Sequence, residues 1–159
     1  MASSIKTYCG FTLVETMIAI SLLAVLSIGG LAANSLASEA ITINQMHSQA
    51  NFLAREAMEA VQSVRAENFS SIHPGEYHPV LTPSGWNLSP GEEILENFSR
   101  KITISNVMRE ISCASAVCDI VQAGGVVDEG TLGVRVVVVW KEAGVTKNYQ
   151  LSGLVTYWR

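Results

Sequence analysis

The chain has 159 residues, 48% of them apolar and only 15% charged, with a formal net charge of −4. That length suits one ordinary domain and leaves no room for a two-domain enzyme. The sequence has no basic run with which to displace counterions from a phosphate backbone, so direct nucleic-acid binding is not expected. The charged fraction lies well below the roughly 25% of soluble domains, and the deficit is local. From Phe11 to Ala33 the only ionisable side chain is Glu15, and no basic residue occurs between Lys6 and Arg55.

The stretch from Phe11 to Ala33, FTLVETMIAISLLAVLSIGGLAA, makes roughly 35 Å of helix at about 1.5 Å per residue, enough to span a bilayer core. Three fates fit such a segment: an anchor that stays intact, a secretory signal that is removed, or a segment processed at its start. For secretion, Lys6 supplies a charge and Ser35-Leu36-Ala37 a small-residue site. The apolar run is too long for that reading, and it carries a carboxylate that a signal peptide gains nothing from. A lipoprotein reading at Cys9 fails because no apolar stretch precedes it. Glu15 is the informative residue. A carboxylate inside hydrocarbon is costly unless neutralised or paired, so it points to function; the alternative is a Glu near the interface that reaches out to water.

Gly10, Phe11, Thr12, Leu13, Val14 and Glu15 stand as GFTLVE, and this closely resembles the prepilin peptidase signal of type IV pilins and of the pseudopilins of type II secretion and competence systems. The resemblance implies a leader over residues 1–10, cleavage after Gly10, and methylation of the new N-terminal amine of Phe11. It makes Glu15 the fifth residue of the mature chain, paired in an assembled filament with the N-terminal amine of a neighbouring subunit. Such a buried ion pair would fix the register between subunits. The partners it implies are the prepilin peptidase, other pilin or pseudopilin subunits met through the N-terminal helix, an inner-membrane platform protein and an assembly ATPase. The implied location is a single pass of the cytoplasmic membrane with an extracytoplasmic head, then an extracellular or periplasmic filament. Two features depart from the family pattern. The leader holds one lysine, and Gly29-Gly30 stand where many major pilins carry a proline; glycines there loosen the helix or permit close packing.

The segment 11–36 is therefore read as the transmembrane or filament-core helix, and 37–67 as its amphipathic continuation. Ala50, Leu53, Ala54, Ala57, Met58, Val61 and Val64 recur at three- and four-residue steps, with Arg55, Glu56, Glu59, Gln62 and Arg65 mostly on the other side. No proline interrupts the expected helix from about Thr12 to about Ala66, with His47 an exposed or packing residue along it. All four prolines fall in residues 68–100, which read as a variable loop with a short helix from Glu92 to Phe98. His73 and His78 flank Glu76 in that loop, but the spacing matches no ligand pattern, and no metal or other cofactor is expected.

Over residues 101–159 the period becomes two. Ile102, Ile104 and Met108 mark one strand, Leu132, Val134, Val136, Val138 and Trp140 a second, and Tyr149, Leu151, Val155 and Tyr157 a third. Lys141 to Gly144 forms a hairpin turn, and Gly124, Gly125 and Gly130 near Asp128 and Glu129 make a turn with no helix after them to hold phosphate. Together these elements make an α+β roll, a long N-terminal helix packed on a C-terminal antiparallel sheet, which is also the architecture the resemblance implies. With Cys9 removed in the leader, Cys113 and Cys118 remain. Their spacing allows a small structural disulfide suited to an oxidising exterior, with two reduced thiols as the alternative. No nucleophile elbow, phosphate loop or zinc helix is present, so the chain is not expected to be an enzyme. The leading expectation is a structural subunit, minor in kind, of a type IV pilus-like filament. A pseudopilin of a secretion or competence system comes next, and an unprocessed membrane-anchored binding module is the reading from another class. A domain released near Ala37 is a third.

Overall fold

The computed structural model describes residues 12–110, 119–121, 123–142 and 144–157. The chain divides into two units, Met1–Asn44 and Gln45–Arg159, and one helix, α1, runs over Leu13–Asn68. Thr12 begins it: its hydroxyl and its carbonyl both accept from the backbone N–H of Glu15, at 3.4 and 3.1 Å, which satisfies one of the donors left over at a helix start. The helix passes through Gly29-Gly30 without a break, and the space where either would carry a Cβ is open.

In the first unit no residue of the apolar window is buried. Its hydroxyls turn back on the helix: Thr16 donates to the Leu13 carbonyl, Ser21 to Ile18 and Ser27 to Leu23, each at 2.8 Å. These three hydroxyls are thus satisfied by their own backbone, the arrangement that an apolar surrounding demands.

In the second unit the remaining turns of α1 end in a 3-10 turn at Phe69–Ser71. Seven strands follow: β1 Gly75–Thr82, β2 Gly85–Pro90, β3 Glu93–Leu95, β4 Phe98–Arg109, β5 Ile120–Val121, β6 Val126–Glu142 and β7 Val145–Thr156. All pair antiparallel in the order β2-β1-β4-β6-β7, with β3 and β5 also on β4. The fold is α+β, a long helix packed on an antiparallel sheet, as expected. Ala50, Ala54 and Ala57 let the helix backbone approach closely, and Val61 and Val64 complete the buried face. From the sheet, Phe98, Ile102 and Ile104 on β4, Leu132, Val134, Val136, Val138 and Trp140 on β6 and Val155 on β7 meet them in one core. The two-residue period of these strands places every second side chain on the helix side.

Three local expectations are corrected. The segment 68–100 is mostly strand. Tyr77, Pro79 and Leu81 alternate opposite Pro90, Leu88 and Trp86 in a β1–β2 hairpin. Beyond Tyr77, β1 pairs only with β2, so Pro79 and Pro90 sit in a hairpin at the sheet margin, where a missing N–H is tolerated. Glu92 to Phe98 is not a helix: β3 pairs with β4 through Leu95↔Phe98, and Glu96 in the reversal adopts φ 47°. Burial of Leu95 and the pull of Arg100 on Glu93 outweigh helix preference there. Asp128 to Gly130 lie within β6 rather than in a turn. Asn106 faces Leu132 while Val107 faces Asp128, so Glu129, Gly130 and Thr131 have no counterpart on β4 and form a bulge. The β6–β7 hairpin falls where predicted, with Gly144 at φ 81° supplying the left-handed residue its turn needs.

Candidate functional site: the helix start and the polar clamps of the head

Of the residues singled out in the sequence, Gly10, Phe11, Cys113 and Cys118 lie outside the described residues. Glu15 sits in the first turn of α1, exposed, and its carboxylate has no hydrogen bond or ion pair among the described residues. Around it Leu13, Val14, Met17 and Ile18 are all largely exposed. An acid with no partner among the described residues thus stands at the start of an apolar helix that carries no cation up to Arg55. Thr12 and Glu15 also stand in the Thr-x-x-Glu spacing of a capping box, a signal that the reading of the sequence passed over.

The family model described as the prokaryotic N-terminal methylation motif matches residues 5–31. The chain carries a type IV pilin-like prepilin signal. No curated protein and no solved structure matches the chain. The prepilin signal implies processing by a prepilin peptidase and assembly with other pilins. The apolar part of α1, long enough and apolar enough to cross a membrane by length and composition, fits a membrane-anchored pilin.

In the second unit several charges are paired internally. Arg100, 4% exposed, donates to Glu56 at 2.6 Å, to Glu93 at 2.5 Å and to the Leu53 carbonyl at 3.1 Å, tying α1, β3 and β4 together. Alternation along β4 turns Phe98, Arg100 and Ile102 inward, so the sequence did carry the signal for a buried arginine in need of acids. At the bulge the Asp128 carboxyl is held below the ordinary carboxylate range by the Thr131 hydroxyl, the Arg109 guanidinium at 2.6 Å and the Gly130 N–H at 2.9 Å. On the outer face Glu76, 2.8 Å away, raises the Lys101 ammonium above its ordinary value. His47 packs edge-on to Trp140, ring centroids 4.9 Å apart, with Glu142 at 3.9 Å. His73 is exposed and His78 lies on β1, and no cluster able to hold a metal ion occurs among the described residues.

Proposed function

We propose that the chain is a structural subunit of a type IV pilus-like filament. A prepilin peptidase cleaves it between Gly10 and Phe11, and the new amine of Phe11 is methylated. It then passes from the cytoplasmic membrane into the filament with the help of a platform protein and an assembly ATPase. The observation that carries this reading is the coincidence, at one helix start, of the methylation motif with a Glu15 that has no partner among the described residues, on an exposed apolar helix. In lipid that carboxylate is costly, whereas the cationic amine of a neighbouring mature subunit compensates it, so pairing rewards insertion at one axial register. Cys113 and Cys118 form a structural disulfide once the head is outside. Intact-mass analysis of the purified chain tests the proposal: a mature form beginning at N-methyl Phe11 supports it, while retention of Met1 favours an unprocessed anchor and an N-terminus near Ser38 favours release.

A further inference from the structure

We propose that the heads of adjacent copies join edge to edge, the β7 margin of one copy against the β3 margin of the next. The inference rests on the filament reading, which brings copies together in one direction. β7 pairs with β6 over twelve residues without a register shift, from Val145↔Glu142 to Thr156↔Thr131, and has no strand on its other side among the described residues. A margin of that length leaves a row of backbone donors and acceptors open, and native sheets usually blunt it with proline, charge or a bulge. β7, VTKNYQLSGLVT, has no proline and one charge, Lys147. At the opposite side β2 is short, ends in Pro90, and is flanked by Pro83.

Two candidate partners for β7 fail on geometry. A second β7 related by a two-fold axis would reverse one copy, which subunits drawn from one membrane into one filament do not do. β2 runs the same way as β7, two antiparallel steps from β4, and would require parallel pairing at a strand with a proline end. β3 satisfies both conditions. It is antiparallel to β4, which runs the same way as β7, so β3 of an identically oriented copy is antiparallel to β7. It also lies level with it: Leu95↔Phe98↔Trp140↔Lys147 form one row across the sheet, and Ile94↔Ser99↔Val139↔Asn148 the next. Copies related by a shift across the strand direction therefore bring these two margins level, neither of which carries a further strand among the described residues.

The margins are complementary in charge. On β7 stands Lys147, exposed, and the strand itself has no acid. Beside β3 stand Glu92 and Glu96, both exposed, with Lys141 lining the same hollow, while Arg100 and Lys101 are engaged by Glu56, Glu93 and Glu76. Ile94, 81% exposed, is the most exposed of the large apolar side chains, and an adjoining strand would cover it. A contact of unlike surfaces is heterologous and continues from copy to copy, as a filament requires.

The test uses sheared filaments from cells making the full chain. Zero-length carbodiimide coupling joins an ammonium to a touching carboxylate. Within one chain Lys147 and Glu92 lie three strand spacings apart, about 14 Å, so a Lys147–Glu92 or Lys147–Glu96 peptide has to be intermolecular. The expected result is that peptide, its loss in Lys147→Glu together with a drop in filament copies, and recovery of those copies when Lys147→Glu is combined with Glu92→Lys and Glu96→Lys. Filaments that contain the chain but give no such peptide, or no recovery in the combined variant, overturn the edge contact alone. A chain that retains Met1 and never leaves the membrane fraction overturns the filament reading and the contact with it.

Discussion

The two halves of α1 have the same backbone and opposite needs. Up to Asn44 its apolar side chains, Leu22, Leu23, Val25 and Leu26 among them, are exposed, and its one acid near the start has no partner among the described residues. From Gln45 on, its apolar face is alanine and valine at zero or near-zero exposure, and its acid Glu56 is paired with a buried arginine. A helix half of the first kind takes its stability from lipid or from other subunits, while the second takes it from its own sheet. Function thus concentrates where the chain leaves its chemistry unfinished, and folding where the chemistry is complete within one copy.

The largest effects should separate these two roles. Glu15→Leu removes the unpartnered acid without touching the head, so cleavage after Gly10 should proceed and entry into filaments should fail. Immunoblots of the sheared fraction beside the processed membrane pool read both, and normal entry of this variant would sink the register role of Glu15. Trp140→Ala does the reverse. Its ring is almost wholly buried between Phe98 and His47, and its loss should destabilise the head by about 3–5 kcal/mol. Leu23→Ala on the exposed half should shift head unfolding by no more than about 0.5 kcal/mol. Urea unfolding of the full chain in detergent, followed by near-ultraviolet circular dichroism, compares the two.

The unfinished half was the more legible in sequence. GFTLVE, an uninterrupted apolar run and a single acid identify the prepilin signal from residue types and order alone, because that chemistry is local. The helix and the three long strands were legible too, since each shows its period over many residues. Residues 68–100 misled because their prolines read as a loop, whereas Pro79 and Pro90 sit in a marginal hairpin whose alternation, Tyr77, Pro79, Leu81 and Trp86, Leu88, Pro90, was present in the sequence. Glu92 to Phe98 misled because helix preference is a local property, while the acid that Arg100 needs comes from tertiary pairing. The bulge at Glu129 to Thr131 depends on the register between β4 and β6, which no single segment encodes.

Arg100 tests whether the head's charges are as complete as they look. Arg100→Ala leaves Glu56 and Glu93 facing each other without their cation and strands the Leu53 carbonyl. Both carboxylates keep some solvent contact, 30% and 25% of their side chains, so the loss should fall at the low end for a broken buried pair, about 3 kcal/mol. Arg100→Met combined with Glu56→Gln and Glu93→Gln removes the stranded charges and should recover much of it. Equal destabilisation of the two variants, measured by thermal melting, would show that packing of the arginine stem rather than charge carries the effect.

The smallest effect compares two acids directly, Glu15 without a partner among the described residues and Asp128 with three. Because the folded-state pKa of Asp128 is depressed, by the Thr131 hydroxyl first and Arg109 next, its ionised form contributes stability above its unfolded value of about 3.9 and loses it as pH falls through the lower folded value. Melting temperature of the wild-type head should therefore decline below about pH 4 in part through this residue. Asp128→Asn keeps an acceptor for the Gly130 N–H but gives up the charge on Arg109, so at neutral pH it should cost about 1 kcal/mol, and the difference from wild type should shrink as the pH is lowered below that point. A gap that stays constant from pH 7 to pH 3 would mean that the bulge is held by shape and by the Gly130 contact, with the ion pair contributing nothing.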